Sequence, residues 1–175
     1  DFLHLVKRVL LLSIPAILAE MTSTVMQYID AAMVGSLGKE ATAAIGLVST
    51  STWLIGGICI SAAIGFLGQV AQLIGAGKKE DARSVFRQSL TVVMLFSILL
   101  MGAAISISGF LPKWLGGEES IRKDASAYFL IFAFGLPFEQ LRMLSAQMLQ
   151  CSGNIKTPSV LNIMLCVLDV IFNFI

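Results

Sequence analysis

At 175 residues the chain is 57% hydrophobic and 13% charged, with a mean hydropathy of +0.86. A soluble domain carries roughly a quarter of its residues charged, so a membrane protein in contact with lipid is expected. The formal net charge of +1 argues against a nucleic-acid partner, which would need a basic face.

A helix crossing the hydrocarbon needs about 20 mainly apolar residues. The first such stretch covers residues 9–34 and stops before Gly35 and Gly38. Lys7 and Arg8 followed by an apolar run and Ala19 would also suit a signal peptide. The apolar pattern continues well past Ala19, which favours a retained span. Pro15 removes a backbone hydrogen bond one turn back, predicting a kink and a candidate hinge.

No charged residue occurs between Glu40 and Lys78, so a second span fits 41–74. On it Gly57, Ser61 and Gly65 recur at every fourth position, a spacing that lets helix backbones approach and predicts a packing seam. A third span fits 88–111, ended by Pro112. The fourth covers 125–150 and carries Glu139 and Arg142, three apart and able to neutralise each other. A structural ion pair is the favoured reading of these two; a place on a substrate cavity is the alternative. The fifth runs 158–175, and the chain stops at Ile175 within an apolar run, having begun at Asp1. Those ends predict a piece of a longer protein. The fold class expected is all-α, a polytopic transmembrane helix bundle with five spans.

Orientation follows from Lys and Arg placement. With a cytoplasmic N-terminus the inner segments hold Lys7, Arg8, Lys78, Lys79, Arg83, Arg87 and Lys156. The outer segments hold Lys39, Lys113, Arg122 and Lys123. The positive-inside rule therefore favours N-in.

Asp30 and Asp169 lie inside apolar runs. A carboxylate near the bilayer centre costs about 2.5–3.5 kcal/mol even on the lenient insertion scale, so each is a functional candidate by default. At the helical period Glu20, Ser23, Gln27 and Asp30 fall within about 80° on the first span. Asn162, Cys166, Asp169 and Asn173 fall within about 60° on the fifth. Counting about 1.5 Å per residue from the expected helix ends puts Asn173 level with Asp30 and Asp169 about one turn deeper, near Gln27.

The bland alternative is that these groups only join helices. Such bonds average well under 1–2 kcal/mol and hardly offset the insertion of two acids where Asn or Ser would serve. A carboxylate leaving water holds its proton more tightly, and a neighbouring acid adds to that. The oxygens of Asp30, Asp169, Asn173 and Gln27 equally suit Na+, so the predicted coupling ion is H+ or Na+. Glu20, Ser23 and Asn162, with Glu139 and Arg142 as further candidates, would line a substrate cavity. Cys59, Cys151 and Cys166 are isolated, and His4 is the single histidine; no other metal and no cofactor is expected.

At this point the chain resembles the multidrug and toxic compound extrusion (MATE) family. The likeness is distributed: Ser13-Ile14-Pro15, Asp30 followed by Val34-Gly35-Ser36-Leu37-Gly38 and Ala43-Ala44, and Gln72-Leu73-Ile74-Gly75-Ala76-Gly77 before a charged loop. It closes with Gly153-Asn154-Ile155-Lys156-Thr157-Pro158 and the polar helix from Asn162 to Asn173. The resemblance implies a transporter of twelve spans in two six-helix lobes, exporting lipophilic, often cationic, small organic molecules against inward H+ or Na+. Residues 1–175 would be most of the N-terminal lobe of a multi-pass protein of the plasma or inner membrane, with the second lobe as its missing partner.

Family members with an acidic site in this lobe place one carboxylate where Asp30 stands, and an Asn and an Asp four apart on the fifth helix. Here Asp169 and Asn173 hold those positions in exchanged order. The exchange keeps the chemistry and leaves both ions open.

The nearest rival is a flippase of lipid-linked saccharides from the same superfamily, for which Arg142 would suit an anionic headgroup. An intramembrane enzyme is disfavoured: HExxH, GxSxG and Gly-x-Gly-Asp elements are all missing from the sequence.

Overall fold

The computed structural model describes residues 2–173; along its first helix and at its end, the side chains of residues 2–5, 7–9, 11, 12, 15, 16, 19 and 173 lie outside the description. Six helices follow one another: α1 Phe2–Ser36, α2 Lys39–Gly75, α3 Lys79–Ser108, α4 Leu111–Trp114, α5 Glu119–Cys151 and α6 Lys156–Asn173. The connections are short, and Gly38, Gly77, Gly116 and Gly153 all take positive φ. At Gly77 the reason is visible. Its N–H bonds the Ile74 carbonyl while that of Lys78 reaches back to Leu73, the paired arrangement in which a left-handed residue closes a helix.

Among the described residues three helices, Lys39–Gly75, Lys79–Ser108 and Glu119–Cys151, are long and apolar enough to cross a membrane. The structure is an all-α membrane bundle. Exposed Phe138 (76%), Trp53 (73%) and Leu99 (72%) would be unfavourable against water and suit hydrocarbon.

The third span ends earlier than the sequence suggests, at Ser108 and not at residue 111. Pro112 has no N–H to offer the Ser108 carbonyl, so the α3 ladder stops there. Its fixed φ suits the opening turn of α4 instead. α4 itself was not expected; Phe110 stacks on its Trp114 with ring centroids 6.1 Å apart.

The chain divides into two compact units, α1 with α6 and α2 through α5. The second has a core built on strict helical spacing. α5 buries Ala125, Phe129, Ala133, Leu136, Gln140, Leu144 and Met148; α2 buries Ala44, Val48, Cys59, Ala63 and Val70. Ala125 and Ala133 on α5 and Ala44 and Ala63 on α2 let the backbones come close. Ser89, Ser97 and Ser108 of α3 are buried, and each hydroxyl donates to a carbonyl on its own helix, so none is stranded in an apolar setting.

Within the α2–α5 unit the expected seam at Gly57, Ser61 and Gly65 is not used: all three are exposed, and a Cβ at Gly57 or Gly65 would meet nothing within 4 Å. The α2 stripe containing Cys59 and Ala63 is buried in their place.

Gln140, which the sequence reading passed over, is 1% exposed. Its Nε2 donates to the Cys59 carbonyl of α2 at 2.8 Å. Pro137, one turn before it, leaves the Ala133 carbonyl without its usual helical donor.

Candidate functional site

The acids stand on α1 and α6, which form one unit. The Asn162 Nδ2 donates to the Ser23 Oγ at 3.0 Å, and the Cys166 thiol donates to the Thr22 carbonyl at 3.5 Å. Helix side chains lean toward the N-terminus while carbonyls point the other way, so both bonds fit two helices running in the same direction with Ser23 level with Asn162.

Asp30 lies seven residues beyond Ser23, and Asp169 seven beyond Asn162. Seven residues is about two turns, or 10 Å, so the parallel register brings the carboxylates level. The depth count from helix ends had placed them one turn apart. Both acids are half-buried, and both take part in polar or electrostatic interactions, as do Asn162 and Ser13.

The predicted α1 stripe divides. Ser23 and Asp30 are half-buried, whereas Glu20 and Gln27 are exposed. Asn162 and Asp169 are half-buried on α6, with Cys166 buried between them. Pro15 lies within an unbroken stretch of α1 and Asn173 ends α6; the side chains of both, the expected hinge and the expected ligand, lie outside the description. Thr22 was missed, because a backbone acceptor gives no signal in a pattern of polar side chains.

A mostly apolar cleft flanks the α1–α6 contact, with Thr22 and Cys166 on its wall. It holds about 460 Å³ and is lined by Leu18, Met21, Val25, Ile163 and Val170 among others, and by neither acid. Among the described residues, no three His, Cys, Asp or Glu side chains gather as a metal-binding group.

Glu139 and Arg142 stand in the other unit. Arg142 Nε donates to Glu139 Oε2 at 2.8 Å, and its Nη2 bonds Oε1. The ion pair expected from the spacing is formed. It lies at a cleft of about 470 Å³ walled by Ile60, Phe132 and Phe138 among others, with its side chains about half exposed.

The MatE family model matches residues 15–175. The chain belongs to the MatE family. MatE proteins are multi-pass membrane transporters, not enzymes. A probable multidrug resistance protein NorM of Neisseria meningitidis is 30% identical over 141 residues, 78% of this chain and 30% of that protein. An FAD transporter of Shewanella oneidensis is 26% identical over 169 residues, 95% of this chain and 37% of that protein. The multidrug resistance protein MdtK of Yersinia pestis is 26% identical over 160 residues, 86% of this chain and 33% of that protein. The chain thus spans about a third of the length of these curated relatives. No solved structure matches it.

Proposed function

We propose that the chain is the greater part of the N-terminal lobe of an exporter that moves lipophilic or cationic drugs by alternating access, driven by H+ or Na+. The observation that carries this reading is the pair of half-buried carboxylates, Asp30 and Asp169, on adjacent parallel helices of a MatE protein.

Two acids brought together in hydrocarbon favour whatever neutralises them. A bound proton or Na+ removes that charge, and so changes the relative stability of outward-open and inward-open shapes. Coupling requires that difference, because an ion held equally by both shapes shifts nothing. Asp30 is assigned as the coupling acid and Asp169 as its tuning partner. Asn173 and Gln27 would complete an oxygen shell for Na+, and Glu20, Ser23 and Asn162 continue the polar surface toward the cargo. The N-terminus is assigned to the cytoplasm from the charge bias.

Alternating access has one bundle rocking against another, so export is a property of the longer protein. Ion-driven efflux from vesicles holding that protein tests the reading. Drug efflux that is indifferent to both the proton and the Na+ gradient would overturn it. The flippase alternative loses support from the Glu139–Arg142 pair, since the guanidinium is already held by a carboxylate.

A further inference from the structure

A cleft of about 520 Å³ lies at one end of the α2–α5 unit, where α2 and α5 finish and α3 begins. Its floor includes Val70, Ala82 and Met148, all buried. At its edge stand the exposed cations Lys79 and Arg83, with Ser152 on the α5 side. An apolar trough with basic residues at one end has the polarity of a phospholipid: acyl chain along the floor, headgroup phosphate at the edge. The position also opens a 30-residue helix whose N-terminal dipole favours an anion, and Glu80 and Asp81 stand in its first turn, so the case for a phosphate rests on Lys79, Arg83 and the apolar floor. Glu80 pairs with Arg83 at 3.6 Å, but both side chains are largely exposed (87% and 74%). So open a pair is weak, and a phosphate, which an arginine can grip with two N–H bonds, would displace Glu80.

We propose that this cleft is a binding site for an anionic phospholipid, with Lys79 and Arg83 on its phosphate. Basic pockets between membrane helices on the cytoplasmic side are suited to such headgroups. The assignment is separate from ion coupling: none of its residues belongs to α1 or α6.

The test uses the full-length protein in symmetric nanodiscs of equal phosphatidylglycerol and phosphatidylcholine, so that the readout does not depend on which way the chain crosses. Retained lipid is counted by native mass spectrometry after extraction. The unaltered protein should keep one tightly held phosphatidylglycerol in preference to phosphatidylcholine. Each basic side chain near the phosphate is worth about fivefold, so Lys79→Gln with Arg83→Gln should weaken retention about 30-fold. Ser152→Trp, which fills the cleft and leaves the charges, should lose the lipid too. Lys113→Gln with Lys123→Gln should not. Undiminished retention in both cleft variants, equal retention of phosphatidylcholine, or binding of inorganic phosphate as tight as that of the lipid would overturn the proposal.

Discussion

The Asn162 amide donates to the Ser23 hydroxyl at 3.0 Å across 139 residues of sequence, and this bond sets the register that brings Asp30 level with Asp169. The bond itself contributes little energy, since polar bonds between membrane helices average about 0.6 kcal/mol and reach at most about 1.7. A double-mutant cycle with Ser23→Ala and Asn162→Ala should return a coupling in that range. Its larger effect should be on transport, because the register of the acids depends on it. A coupling near zero would mean that apolar packing alone holds α1 on α6.

Asp30→Asn keeps shape and hydrogen-bonding capacity and cannot carry a changeable charge. Insertion should be unchanged or easier, because a costly group has left the hydrocarbon. Ion-driven efflux by the full-length protein should fall to background at matched expression. Wild-type efflux in this variant would reduce Asp30 to a helix-joining role.

Asp169→Asn should be milder. Removing the second acid lowers the proton affinity of its neighbour, so the pH at which half-maximal proton-driven efflux occurs should move down. A variant with an unmoved pH profile would show that the two carboxylates do not sense each other.

The topology is checked by single cysteines. Lys79→Cys should resist an impermeant reagent added outside, and Lys113→Cys should react. The reverse pattern would invert the orientation assigned from charge bias.

The exposed face of α2 gives a stability test. Ser61→Leu meets no neighbour in its unit and should shift stability by less than about 0.5 kcal/mol. Ala63→Leu, on the buried stripe, should cost about 1–3 kcal/mol by overpacking. Thermal unfolding of the full-length protein in detergent distinguishes the two.

Much of this was readable beforehand. Long apolar runs broken by glycine and charge marked α1, α2, α3, α5 and α6 to within a few residues at most ends, and the spacing of Glu139 and Arg142 announced their pair. Pro112 misled because a proline that stops one helix also opens another. The small-residue spacing on α2 was real, but Cys59 and Ala63, two residues along from Gly57 and Ser61, lie about 200° round the helix on the opposite face, and both faces carry small residues at the same period. Depth failed for a different reason: counting from helix ends carries their placement error straight into the answer, whereas one cross-helix bond fixes register directly. Gln140 and Thr22 were silent, because a solitary amide and a backbone carbonyl leave no pattern.

The Gln140–Cys59 bond acts on α2 and α5 as a key in a keyway. Were α5 to slip by one turn or swivel on α2, the amide would leave its acceptor and face hydrocarbon, where no water replaces the lost partner. At the modest worth of a polar bond between membrane helices the amide biases α2 and α5 toward one register, and the buried stripes of both helices add to that preference. If the longer protein alternates between two shapes as proposed, the short glycine-marked links are better suited to bend than this pair.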